Sequence, residues 1–188
     1  MANQSSILYK LFRKITGKHR YSYEINSILY KYSDLEFYKE FCFAEENYIP
    51  VENLNPIISN IEFHTTTRQL KATFGKPALI VDITSKIKIF LYKFVKNGEK
   101  QKLLFHYFND KLILMSRLLS FVDDQKVLSL QNMHLQEYNL PSLSTFEDKI
   151  YLQYTKNQSL YLVKNLEYIE HFIKYDEGFQ NYIASKLT

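Results

Sequence analysis

The sequence predicts an α+β fold: an N-terminal, mainly helical region followed by two units, each a helix feeding an antiparallel β-meander. Three observations carry this expectation. Residues 86–120 are rich in β-branched and aromatic residues in apolar alternation, which suits a pleated, half-buried surface. That run is broken only at Asn97-Gly98 and Asn109-Asp110, dipeptides suited to the positive φ angles of a two-residue hairpin turn. Phe74-Gly75-Lys76-Pro77 and Tyr138-Asn139-Leu140-Pro141 both read as helix exits: an aromatic, a residue tolerant of positive φ, any residue, then proline. The expected division is residues 1–62, 63–121 and 122–188, within one globule.

Residues 5–18 predict an amphipathic helix, with Ile7, Leu8, Leu11, Phe12 and Ile15 at helical spacing among lysines and Arg13. Gly17 is its candidate stop. Residues 21–32 fit strand or helix. Asp34 can cap a helix reaching about Glu46, with Leu35, Tyr38, Phe41 and Cys42 inward. Residues 49–55 read as a loop, with Pro50 as a breaker. Asn55-Pro56 opens a short helix to about Glu62, since proline is tolerated at the first helical position. A helix starting at Thr65–Thr67 has residues 68–74 as its body.

A two-residue loop at Asn97-Gly98 sets Leu91 against Leu104, Phe90 against Phe105, Tyr92 against Leu103 and Ile89 against His106. A tight turn at Asn109-Asp110 sets Phe105 against Leu114 and Leu104 against Met115. One face then holds Phe90, Tyr92, Leu103, Phe105, Tyr107, Leu112 and Leu114. The other holds Ile87, Ile89, Leu91, Leu104, Phe108, Ile113 and Met115. Both faces are apolar, so layers or partners are expected on each. Asp123 or Asp124 can cap the next helix, which carries Val127, Leu128, Leu130 or Gln131, Leu135 and Tyr138. Strands follow at 149–155, 159–164 and 166–172, then a C-terminal helix over 176–187. The recurrence of helix, exit and meander suggests an internal repeat.

The same register aligns Lys93, Lys102 and Arg117 at one end of the second face, with Lys100 nearby. Such a row is a candidate platform for an anion, a nucleic-acid backbone or an acidic partner. It is equally what a splayed, solvated sheet end looks like, because like charges face each other across the strands.

Composition narrows the classes. The chain of 188 residues is 46% hydrophobic and 23% charged, which is ordinary for a globular protein. Sixteen Tyr and 14 Phe, without Trp, are an aromatic excess that fits either core or binding surface. Tyr21, Tyr23, Tyr30 and Tyr32, interleaved with Lys18, Arg20 and Lys31, are the stretch where stacking on a ligand is conceivable. Four glycines leave no phosphate loop, and the net charge of +4 is too small for a dedicated nucleic-acid binder. The single cysteine, Cys42, sits between Phe41 and Phe43 and reads as a structural thiol. With no apolar leader and no candidate membrane span, the expected location is the cytoplasm.

No catalytic or metal-ligating pattern emerges. His19, His64, His106, His134 and His171 form no short-spaced pair with one another or with cysteine. The acidic pairs Glu45-Glu46, Asp123-Asp124 and Asp176-Glu177 fall at element ends, where carboxylates cap helices. No cofactor is expected.

The order of elements, with the Phe74-Gly75-x-Pro77 exit and its looser counterpart at Tyr138, Asn139 and Pro141, resembles the β-lactamase-inhibitor-protein-like and small outer-membrane assembly lipoprotein families. The resemblance spans residues 65–172. The chain departs from those families in having neither their export signal nor a lipoprotein cysteine near its start. The resemblance implies binding to another protein, of inhibitor, immunity or assembly-factor type. Two other readings stand beside it: a binder of nucleic acid or an anionic surface through the basic sheet row and the basic helix at 5–18, and an enzyme whose residues meet only in the fold.

Overall fold

A computed structural model describes residues 22–43, 48–54, 61–63, 65–96, 98–120, 122–165 and 167–187. The expected helices at 5–18 and 55–62 fall largely or wholly outside these, as do His19, His64 and Glu45-Glu46. Among the described residues there are five helices and one eight-stranded sheet, so the class is α+β as the sequence predicts.

Residues 22–32 form helix α1, which resolves the ambiguity there. Helix α2 spans Glu36–Cys42 and is preceded by Leu35 at φ 66°. A left-handed leucine costs about 1–2 kcal/mol, and here its side chain is buried in the core. Tyr38, Phe41 and Cys42 point inward as expected. Helix α3, Thr67–Phe74, begins with a reciprocal capping box: Gln69 N–H donates to Thr66 Oγ1, and Thr66 N–H donates to Gln69 Oε1 at 2.8 Å. Helix α4, Asp124–Glu137, is capped by Asp123, which accepts from Lys126 N–H at 2.7 Å. Helix α5, Glu177–Leu187, is capped by Asp176, which accepts from Phe179 N–H at 3.0 Å. Both helix exits use a positive φ, 73° at Gly75 and 56° at Asn139.

The strands are β1 (Ile49–Pro50), β2 (Leu79–Asp82), β3 (Ile87–Lys96), β4 (Glu99–Phe108), β5 (Lys111–Ser120), β6 (Lys149–Thr155), β7 (Gln158–Lys164) and β8 (Glu167–Lys174). They lie in the order β1-β6-β7-β8-β5-β4-β3-β2. All neighbours are antiparallel except β1, which runs parallel to β6. Two strands correct the sequence reading. Residues 49–50 are a strand and not loop, because β6 supplies a partner that no local pattern reveals. Residues 79–82 add a short strand on β3, just after Pro77.

The β3–β4 register is the one the Asn97-Gly98 turn dictates, pairing Leu91 with Leu104 and Phe90 with Phe105. Asn109 and Asp110 both take positive φ, 47° and 61°, closing the next tight turn. The β4–β5 register departs from expectation. A bulge opposite His106 and Tyr107 sets Phe105 against Met115 and Leu104 against Ser116. Leu112, Ile113, Leu114 and Met115 are all apolar, so alternation does not penalise a one-residue slip there. Leu114 and Met115 therefore exchange faces relative to the sequence reading.

Both faces of the sheet are covered. Helices α1, α2 and α5 pack on the face carrying Ile87, Ile89, Leu91, Leu104 and Ile169. Leu70 of α3, Val127 and Leu135 of α4, and partly buried residues between 140 and 146 pack on the face carrying Phe90, Phe105, Met115 and Leu160. The aromatic excess goes mainly to this core: Tyr32, Tyr38, Tyr107 and Tyr168 are among the largest fully buried side chains. Cys42 is a buried free thiol, pushed by burial up to about 12.

Candidate functional site

The four basic residues singled out in the sequence do not form one row. Lys93 and Lys102 are cross-strand partners on the α1 side of the sheet, as the first turn requires. The bulge turns Arg117 to the opposite face, where it pairs with Leu103. Lys100 lies opposite Val95 and is exposed. The repulsion between Lys93 and Lys102 is offset by carboxylates from elsewhere in the chain. Glu24 of α1 bonds Lys93 through both oxygens. Glu167 of β8 lies 3.4 Å from Lys102 Nζ and accepts from Ser120 Oγ at 2.7 Å.

On the far face Arg117 meets Glu170, whose side chain is fully buried. Arg117 Nε and a terminal guanidinium nitrogen donate to the two carboxylate oxygens at 2.7 and 2.6 Å. His134 Nε2 of α4 is 3.1 Å from the same carboxylate. Burial pushes the Glu170 carboxyl up. The His134 contact and the Arg117 charge outweigh that and hold it below the ordinary carboxylate value. This triad ties α4 to the sheet.

Two histidine pairs lie under α1 and α2. Tyr38 Oη is 2.8 Å from His106 Nδ1, and Ser116 Oγ is 2.7 Å from His171 Nδ1. The second has the spacing of a nucleophile and its base. Both members are sealed, however: Ser116 is fully buried, and Phe37 and Phe41 roof His171 with ring centroids 5.2 and 5.8 Å away. Burial, with the Lys31 charge, keeps both imidazoles well below their ordinary pKa and hence neutral at physiological pH. Such pairs satisfy polar groups inside the core.

The outer surface of α1 is different. Tyr23 and Tyr30, seven residues apart, are 75% and 90% exposed, and the exposed side chains between them are Asn26 and Ser27. Seven residues are two helical turns, about 10 Å, so both rings share one face. Tyr32, from the same tyrosine-rich stretch, is buried instead. Sequence reasoning singled out the stretch without separating the core tyrosine from the solvent pair. The helical period, once chosen, separates them. The carboxylates Glu24 and Glu167 gave no signal, because only the fold brings them to the lysines.

Among the described residues no cluster of three His, Cys, Asp or Glu side chains is placed to hold a metal ion, and no helix is long and apolar enough to cross a membrane. Comparison with protein-family models, curated proteins and solved structures gives no match to this chain.

Proposed function

We propose that the protein is a binding module that docks on another protein through the outer face of α1. The supporting observation is the pair Tyr23 and Tyr30, the two most exposed tyrosines among the described residues, on one uncharged helical face, while Tyr32, Tyr38, Tyr107 and Tyr168 are fully buried. Tyrosine offers large amphipathic area at low entropic cost, and it is over-represented among residues that dominate interface energies. Edge-to-edge strand pairing has less support as a docking mode. Strand β1 is two residues long and ends in Pro50, and the outer strand β2 has four residues with an exposed Asp82–Lys88 pair. The anionic-surface reading has less support at the sheet row, because Lys93, Lys102 and Arg117 each face a carboxylate; its other half, the basic helix at 5–18, lies outside the described residues. We read the two helix-plus-meander halves as an internal repeat that builds the platform behind α1.

The test is site-specific photo-crosslinking in native-host cells, with a benzophenone side chain at position 30 and a control at the exposed Met133 of α4. One protein captured at position 30 and not at 133, with its affinity weakened at least about tenfold by Tyr23→Ala plus Tyr30→Ala, supports the reading. Absence of adducts at position 30, or identical adducts at both positions, overturns it.

A further inference from the structure

A cleft of about 130 Å³ lies between α1 and the sheet, bordered by Lys31 and Tyr32 of α1, Lys102 of β4 and Glu167 of β8. Its apolar wall includes Leu91, Leu104 and Leu118. Two groups of its bordering residues lack a polar partner. The Tyr32 hydroxyl is buried and, among the described residues, makes no hydrogen bond. A buried hydroxyl without a partner forfeits roughly 1–3 kcal/mol, which an acceptor reaching it from the cleft would recover. Lys31 makes no ion pair among the described residues. Its Nζ lies 5.5 and 5.2 Å from the ring centroids of Tyr32 and Phe37.

Ion pairing in the cleft leaves one cation without a carboxylate in contact, although the charges of Glu167 and Glu40 reach it. Glu24 is held by Lys93, and Glu167 by Lys102 and Ser120. Lys31 remains. We propose that this cleft binds a small organic monocarboxylate, its carboxylate taken by Lys31 and the Tyr32 hydroxyl and its apolar body laid on Leu91, Leu104 and Leu118. One positive charge calls for one negative charge. The buried phenol is a donor, because burial and the nearby Glu167 push its pKa up and keep it protonated. The volume is close to the ~150 Å³ of a cavity known to admit benzene, so the acid has about four to seven carbons. Burial lowers the Lys31 pKa from its ordinary value, and an arriving carboxylate reverses that, so binding takes up protons at alkaline pH.

The cleft shares Tyr23 and Ser27 with the tyrosine face of α1, so the two readings are separated by residues outside that overlap: position 30 for docking, Lys31 and Tyr32 for the acid. Titration of the full chain with hexanoate and benzoate, followed by calorimetry and by amide shifts of β3 and β4, is the experiment. Hexanol and inorganic phosphate are the controls. Saturable one-to-one binding of a monocarboxylate is expected, weakened roughly tenfold or more by Tyr32→Phe and by Lys31→Met. Tyr32→Phe removes only an unpartnered hydroxyl, so its unfolding midpoint stays at or above that of the parent while affinity falls. Three results overturn the proposal: no saturable binding of either acid, equal affinity in parent and Tyr32→Phe protein, or phosphate or hexanol binding as well as hexanoate.

Discussion

Replacing Arg117 by methionine leaves Glu170 buried with only His134 beside it. The Glu170 side chain is fully buried, and Arg117 supplies two charge-assisted bonds of 2.7 and 2.6 Å. Removing one partner of such a pair costs about 3–5 kcal/mol, because the remaining charge is uncompensated. For a chain of this size each kcal/mol moves Tm by about 2–4 °C, so Arg117→Met should melt roughly 6–20 °C below the parent at neutral pH. The sign with pH follows from the depressed Glu170 pKa. A depressed carboxyl contributes stability that is present above its unfolded value, about 4.3, and is lost as pH falls through the folded value. Without Arg117 that contribution goes, so the gap between variant and parent is widest at neutral pH and closes on acidification. Circular dichroism melts at neutral pH and at a pH well below about 4.3 measure both points. The double variant Arg117→Met plus Glu170→Leu should recover most of the loss, since a well-packed apolar pair often replaces a buried ion pair without penalty. A single variant within about 1 kcal/mol of the parent, or a double variant less stable than the single, refutes the reasoning.

Asp110→Gly should raise stability by about 0.5 kcal/mol, the relief of a left-handed non-glycine residue less the entropy that glycine adds to the unfolded chain; a lowered urea midpoint contradicts the turn geometry. Gln131, fully buried on α4, donates to the Glu147 carbonyl at 2.6 Å and accepts from its N–H at 3.0 Å. Gln131→Leu should cost about 1–3 kcal/mol and speed hydrogen exchange at the Glu147 amide; unchanged protection there argues against the clamp. Cys42, buried and with its pKa raised to about 12, should ignore thiol reagents at mildly alkaline pH until denaturant is added. Labelling of the native protein at the rate of a free thiol would show that the site opens.

Local chemistry explains what was legible in the chain. The Asn97-Gly98 dipeptide carries its own turn geometry, and the pairings it implies for Leu91, Phe90, Tyr92 and Ile89 all occur. The next turn forms as its sequence asks, yet the strand beyond it slips by one residue, because Leu112–Met115 presents apolar side chains to either face. That slip alone separates Arg117 from Lys93 and Lys102. Strands β1 and β2 escaped notice for a related reason: two and four residues are too short to show a period. At the candidate site the lysines could be aligned from the register. Their carboxylates, 69 residues from Lys93 and 65 from Lys102, could not. The tyrosine stretch at 21–32 fits both helix and strand, and the choice between them decides which rings face water.

The position of β8 sets a timetable for synthesis. This last strand sits in the interior of the sheet, between β5 and β7. Ribosomes deliver β2 to β5 first, and those strands can zip together as successive hairpins. Their exposed border is then β5, a long apolar strand with an open row of backbone donors and acceptors. The partner that closes it is complete only at Lys174, some 50 residues later, a wait of roughly 3–10 s at 5–20 residues per second. For that interval the nascent chain carries a sticky template of the kind that invites misassembly with a neighbouring chain. Truncation before β8 makes the interval permanent, and a fragment ending near Lys164 should be recovered as aggregate or bound to chaperone.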